Sequence, residues 1–330
     1  MPRAHHKPSI RDVATRAGVS HQTVSRVLND PDKVRAETLE RVQQAIAELR
    51  YRPSKAARSL ATNDSMTIGV ISVHAALFGP SQMTLAIDEG ARERGYATAT
   101  VTVRDDSPDS LRAAREHLLS LGVDGVVVIA WSQPVLDLAA RFARDLPVCA
   151  VGEGDVPAGL ARARGDQVGG ARRAVEHLRA TGRSRIAHLA GPIDWLEATA
   201  RVDGWRDAAG DARGPQVVAG WAPEDGFRGV DELLALDPEI DAIFAANDHV
   251  AAGALKRLVE LGRRVPQDIA VIGYDDIEVA AYLTVPLASV RQPFAEVGSA
   301  AVDLLFRAMR GEGEESRLLP SSFVWRESAG

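Results

Sequence analysis

Along residues 9–50 the apolar positions recur every three or four places, the period of helices that bury one face. Ile10, Val13, Ala14 and Ala17 share such a face, and Ser9 with Asp12 three places on can cap the free backbone N–H groups of a helix starting there. Gly18 follows, where a residue without Cβ can turn the chain in the left-handed conformation. Ser20 can cap a second short helix whose Val24, Val27 and Leu28 face inward. His21, Gln22, Thr23, Ser25, Arg26 and Asn29 then form an outer face made almost wholly of hydrogen-bonding groups. A third helix is predicted over 36–50 from the stripe Leu39, Val42, Ile46 and Leu49, ended by Tyr51 and Pro53. Ser54 can cap a last segment, 55–61, which at that length is marginal alone and should order only against a partner. Two helices joined by a three-residue turn make a helix-turn-helix, whose second helix can enter the major groove of DNA.

Beyond residue 63 the pattern changes. Short β-branched runs at 66–73, 97–103, 125–130 and 148–151 alternate with helical stretches at 81–94, 111–121 and 135–145. The alternation resumes with runs at 186–190, 217–219, 242–245 and 269–272, separated by helices near 166–180, 199–209, 226–235 and 248–261. Such βαβ repetition predicts two parallel sheets, and open parallel sheets bind ligands beyond the C-terminal ends of their strands. Two lobes facing one another make a cleft. The expected fold is α plus α/β: a helix-turn-helix headpiece over 1–53, a hinge helix and linker over 54–63, and a two-lobed α/β domain over 64–330. The first lobe is expected at about 64–164 and 293–323, the second at about 165–292.

Composition and charge sharpen this picture. The 330 residues are 45% hydrophobic and 25% charged, which suits cored domains. The formal net charge of −6 argues against a nucleic-acid partner only until it is divided. Residues 1–62 hold 12 Lys or Arg and 6 Asp or Glu, leaving 27 and 39 for the remainder. A basic head precedes an acidic body, and basic segments attract polyanions. The single cysteine, Cys149, excludes an intrachain disulfide and a thiolate metal cage. Without an apolar run of membrane-span length, or an apolar stretch behind the basic start, a cytoplasmic location with no membrane partner is expected.

No cofactor or metal is expected either. Gly152-Glu153-Gly154 followed by Gly159 has the wrong spacing for a dinucleotide fingerprint and is interrupted by Pro157. No nucleophile elbow, Walker loop or zincin motif occurs, and the eight histidines offer no metal-ligand spacing apart from His5-His6. The chain is therefore read as a non-enzyme.

The runs Ile10-Arg11-Asp12-Val13-Ala14, Ala17-Gly18-Val19-Ser20 and Gln22-Thr23-Val24-Ser25-Arg26-Val27-Leu28-Asn29 resemble the headpiece of the lactose/galactose-repressor family of bacterial transcription regulators. Tyr51-Arg52-Pro53 and Ala57-Arg58-Ser59-Leu60 are similar to that family's hinge helix, with Ser54 where the family often has Asn. The resemblance continues through Leu189-Ala190-Gly191-Pro192, Arg201 with Gly204-Trp205, Ala246-Asn247-Asp248 and Gly273-Tyr274-Asp275-Asp276. These match the family's effector domain, which shares the architecture of periplasmic sugar-binding proteins. By this resemblance His21, Gln22 and Arg26 read base edges, while Ser20, Thr23, Ser25, Asn29, Tyr51 and Lys55 hold phosphates. Leu60 is implied to wedge into a minor-groove step, with Ala57 permitting close approach of a partner's hinge.

In the cleft the resemblance implies that Arg201, Asn247 and Asp275 hydrogen-bond the effector and Trp221 stacks on a sugar ring. Leu77, Phe78, Gln292 and Phe294 would close the other wall, and Trp131 and Trp195 lie just beyond predicted strand ends. Gly152 stands where some sugar-binding members carry an acid. Arg201 and Asp275 have a structural alternative, a plain ion pair. The function implied is a ligand-responsive repressor of carbohydrate-utilisation genes: a homodimer on a pseudo-palindromic double-stranded operator, released by a sugar or glycoside. Two other readings stay open, a regulator whose DNA binding is tightened by a purine-like corepressor or a phosphorylated carrier protein, and a cytoplasmic small-molecule receptor without DNA function. Residues 320–330 carry no leucine heptads, which favours a dimer over a tetramer.

Overall fold

The computed structural model describes residues 8–51, 64–73, 77–157, 159–313 and 315–330. It divides into two units, Met1–Ser65 and Met66–Gly330, each taken by itself below. The implied hinge residues Lys55, Ala57 and Leu60, with Ser54, lie outside the described residues.

The headpiece holds helices α1 (Ile10–Ala17), α2 (His21–Asn29) and α3 (Ala36–Leu49), with a single 3-10 turn at Pro31–Lys33. Ser9 and Asp12 form a reciprocal capping box: the Ser9 Oγ accepts from the Asp12 N–H, and the Asp12 carboxylate accepts from the Ser9 N–H at 2.7 Å. Gly18 sits at φ 65°, ψ 40°, so the turn uses the left-handed region that a Cβ would strain. The guanidinium of Arg41, from α3, donates to the orphan carbonyls of Ala17 and Gly18 and ties the turn down. Val13, Ala14, Ala17, Val24, Val27, Val42 and Ala45 close the core, with Leu39, Ile46 and Leu49 packed around it. Fully burying one such valine contributes about 1.5–3 kcal/mol.

The second unit is two six-stranded sheets of corresponding strand order. In the first lobe β1 (Thr67–Val73), β2 (Ala97–Val103), β3 (Gly125–Ile129), β4 (Val148–Val151), β5 (Ala161–Gly165) and β11 (Ser316–Leu319) are all parallel, in the order β11-β5-β4-β3-β1-β2. The second lobe has β6 (Ile186–Ala190), β7 (Arg213–Val218), β8 (Ala242–Ala245), β9 (Ala270–Asp275), β10 (Ala288–Arg291) and β12 (Ser322–Val324), in the order β12-β10-β9-β8-β6-β7. Only β12 among them runs antiparallel, against β10. Helices α4 (Phe78–Glu93), α5 (Pro108–Ser120), α6 (Gln133–Phe142) and α11 (Phe294–Met309) cover the first sheet. The second carries α7 (Gln167–Ala180), α8 (Leu196–Ala209), α9 (Pro223–Leu236) and α10 (Asp248–Glu260). Separate buried clusters on the two faces of each sheet explain why its strands read as near-continuous apolar runs.

Four strands, β5, β10, β11 and β12, and helix α11 have no counterpart among the elements expected from the pattern. The lobe boundary also needs correcting. Ser322–Val324 pairs with β10, so the second sheet, not the first, takes the chain from 322 onward. The described chain crosses between lobes at 165–167, 291–294 and 319–322. Strand order reverses between β1 and β3 and again between β6 and β8, the switch points where crevices open beyond strand ends.

Candidate DNA-reading face and effector cleft

On α2 the side chains of His21, Gln22 and Arg26 are exposed, and Thr23 and Ser25 are half-buried. Ser20 caps the helix by accepting from the Thr23 N–H at 3.1 Å, and the two hydroxyls lie 2.9 Å apart. Both groups implied to hold phosphates thus also hold the start of α2 in place. Tyr51, implied to hold a phosphate, is 8% exposed and joins the headpiece core.

In the second unit one cavity of about 430 Å³ gathers all eight implied effector residues, Leu77, Phe78, Arg201, Trp221, Asn247, Asp275, Gln292 and Phe294. That volume falls in the range of pockets enclosing drug-sized molecules. The residues meet because they lie at or just beyond the C-terminal ends of β1, β7, β8, β9 and β10, or on helices that follow β1, β6 and β10. Phe78 and Phe294 pack edge to face at 5.7 Å.

Arg201 and Asp275 are 4% and 8% exposed, with Nη2 to Oδ1 at 3.8 Å. The guanidinium lies 4.0 Å above the Tyr274 ring centroid, donates from Nε to Gln167 Oε1 at 2.9 Å, and also donates to the carbonyl of Ala246. Asp275 Oδ1 accepts from Gln292 Nε2 at 2.6 Å. Burial pushes the Asp275 carboxyl above its ordinary range, against the pull of Arg201 and Gln292. Both the ion pair and the cleft position are therefore present, and the two readings of Arg201 coexist. Asp275 and Asp276 have φ of 106° and 56°, a strain held by the surroundings. Asp276 is fixed by Arg291 and Arg326, each at 2.6 Å. Asp248 beneath accepts from Ser289 Oγ at 2.6 Å and the Ile277 N–H at 2.8 Å. Burial raises Asp248 well above the carboxylate range, with the Asp275 charge adding to it.

Asn247 is more structural than its implied role. Its Oδ1 caps α10 through the Val250 N–H at 2.8 Å, and its Nδ2 donates to the Trp221 carbonyl at 3.2 Å. It thereby fixes the backbone that carries the indole.

Sequence reasoning assigned no effector role to the polar lining residues Glu153, Arg164, Gln167, Glu197, Asp225 and His249. Glu197 had a readable signal, since it stands four places before Arg201 and so shares its helical face. Burial pushes its carboxyl up to about 7, opposed by backbone N–H groups of Glu197 and Glu153 and by the Arg201 charge. Glu153 accepts from Arg164 at 2.6 Å and Arg162 at 3.3 Å. Trp131 and Trp195 also line the cavity. Among the described residues no cluster of three or more His, Cys, Asp or Glu is placed to hold a metal, and no helix is long and apolar enough to cross a membrane.

A helix-turn-helix followed by two similar lobes around a polar, aromatic-lined cleft defines an effector-responsive DNA-binding regulator. Residues 9–54 match the family model of bacterial regulatory proteins of the lacI family, and residues 175–329 match that of the periplasmic binding protein-like domain. The lactose operon repressor of Escherichia coli strain K12 is 34% identical over 334 residues, covering 97% of this chain and 90% of the repressor. A lac repressor dimer bound to operator and the anti-inducer ONPF superposes with a TM-score of 0.91 at 32% identity, covering 98% of this chain and 99% of that one. A complex of the transcriptional regulator CelR with cellobiose gives a TM-score of 0.71 at 31% identity, covering 97% and 99%. The chain belongs to the lacI family of bacterial regulatory proteins, and so to transcription regulators rather than enzymes.

Proposed function

We propose that the protein is a cytoplasmic repressor of carbohydrate-utilisation genes, a homodimer on a pseudo-palindromic operator that a sugar or glycoside in the cleft releases. The observation that carries this is the joining of Arg201, Asp275, Asn247 and Trp221 in one cavity at the strand ends. A carboxylate and a guanidinium pair with vicinal hydroxyls, and an indole covers the apolar face of a pyranose. In the headpiece Arg26 is assigned to a guanine edge, His21 and Gln22 to neighbouring bases, and Ser20, Thr23, Ser25 and Asn29 to phosphates. Lys55 adds a phosphate contact, and Ala57 and Leu60 serve the minor groove. The sugar must bind the released arrangement more tightly than the DNA-bound one. The test is a duplex selected from a random palindromic library, titrated with protein in the presence of single sugars. Weaker binding with sugar supports the reading. A purine that tightens binding would replace it with corepression.

A further inference from the structure

We propose that Glu197 is a proton-controlled latch between the two lobes, holding them in contact while its carboxyl is neutral and loosening them when it ionises. This goes beyond the functional reading above and is independent of which effector the cleft takes.

Residues 195–197 belong to the second lobe by chain order and to the first by contact. Trp195 and Leu196 pack against a buried cluster of the first sheet, and a Cβ at Gly154 would stand 2.9 Å from Leu196 Cδ1. Helix α8 starts here with no side-chain cap. One of its orphan donors is satisfied across the lobe boundary instead, since the Leu196 N–H donates to the Trp131 carbonyl at 2.9 Å. Glu197, one place on, is bonded across the same boundary: its carboxyl accepts from the Glu153 N–H in the loop after β4. A Cβ at Gly152 in that loop would lie 3.1 Å from Glu197 Oε1. The lobes are thus joined here by two backbone donors, one of which ends on a titratable group.

The surrounding charges decide what ionisation does. The loop after β4 brings the Glu153 carboxylate to Glu197, with Asp155 behind it beside Arg162. Strand β5 brings Arg162 and Arg164, and α8 itself brings Arg201. These cations are already engaged: Arg162 and Arg164 both bond Glu153 Oε2, and Arg201 faces Asp275 and Gln167. The Trp131–Ser132 segment carries no charge of its own, and Ser132 donates to Asp106 at 2.7 Å. Asp225 and His249, from α9 and α10, line the same cavity. Glu197 Oε2 is sheltered from solvent and has no hydrogen-bond partner among the described residues.

An ionised Glu197 therefore sets a second carboxylate beside Glu153 where water does not reach it. Burial, with the Glu153 charge adding to it, pushes the carboxyl up to about 7 against the backbone N–H groups and Arg201. When the lobes part here the group regains water and its ordinary value of 4.5. The joined arrangement binds the proton more tightly than the parted one. By linkage its advantage is whole below about 4.5 and lost as pH rises through about 7.

The experiment is amide hydrogen exchange of the full chain without ligand, from about pH 5 to about pH 8, read at Leu196 and corrected for the intrinsic pH dependence of exchange. Protection at Leu196 should fall about tenfold or more over that range while the amides of β3 stay protected, since each unit of pKa shift is worth a factor of ten. Glu197→Gln, which cannot ionise, should keep the protection high and flat, which separates Glu197 from His249. Glu153→Gln, which removes the facing charge, should move the midpoint of the fall to lower pH. Protection of β3 shows that a variant is folded, and if one variant fails that check the other decides. A flat profile at Leu196 in the unmodified protein, the same fall in Glu197→Gln, or an unmoved midpoint in Glu153→Gln would overturn the latch.

Discussion

Gln167 donates from Nε2 to Gln292 Oε1 at 2.6 Å, joining two of the segments by which the chain passes from one lobe to the other. Each glutamine also holds half of the central pair: Gln167 Oε1 accepts from Arg201, and Gln292 Nε2 donates to Asp275. The groups assigned to the effector are therefore hydrogen-bonded to the crossings about which the lobes must move.

Gln292→Leu should loosen this arrangement. Asp275 loses a 2.6 Å hydrogen bond, and such a bond to a charged group is worth about 1.5–3 kcal/mol. The saccharide Kd from calorimetry should rise by about tenfold or more. An unchanged Kd would place Gln292 outside the site.

Arg201→Ala should destabilise the second unit. It strands the buried Asp275 carboxylate near the Asp248 carboxyl, and breaking a buried pair by removing one partner costs about 3–5 kcal/mol. Urea unfolding followed by tryptophan fluorescence reads this as a lowered midpoint, and a midpoint within error of the parent would contradict it.

Acid should weaken the protein through His188. Its ring lies between Trp205 and Phe244 at 5.3 and 4.9 Å, its Nδ1 is 2.8 Å from the Phe244 carbonyl oxygen, and burial lowers its pKa to about 4. The unfolded chain takes up this proton near pH 6.5 and the native protein only near 4, so the contribution is whole above 6.5 and lost as pH falls through that window. Glu197, raised to about 7, acts with the opposite sign, its contribution declining as pH rises from about 4.5 to 7. Comparison with His188→Phe isolates the imidazole: melts between pH 4 and 7 should show a flatter acid limb in the variant. Equal limbs would refute the assignment.

Gly191→Ala should displace an indole. The new Cβ would sit 2.5 Å from the Trp221 ring, and such overpacking costs about 1–3 kcal/mol. Weaker saccharide binding should accompany a shifted tryptophan emission, and an unaltered spectrum would show that the ring does not yield.

The headpiece was legible because its signals are local. Ser9, Gly18 and Ser20 each do in the structure what capping and turn chemistry require. The alternating lobes were legible because buried parallel strands are apolar throughout. β5 was not, since Ala161-Arg162-Ala163-Arg164-Gly165 reads as a charged loop; Arg162 is admitted to the sheet by Glu153 and by the Gly152 and Gly154 carbonyls, contacts that no helical or strand periodicity records. Tyr51 was read as a helix end and a phosphate contact, and its burial was not legible because the core that covers it comes from distant positions. Glu153 was noticed only within a failed glycine motif, and its place in the cleft depends on two lobes meeting, which no local pattern records. The hinge segment remains a reading of sequence alone.

The central claim is that a sugar in the cleft weakens the headpiece's hold on operator DNA. Fluorescence anisotropy at fixed salt, on the selected palindromic duplex with and without a saccharide shown by calorimetry to bind, measures the coupling directly. Allosteric coupling of ordinary size predicts operator binding weakened by about 5–150-fold at saturation. Operator affinity that stays constant, or tightens, while the sugar is bound would contradict the account.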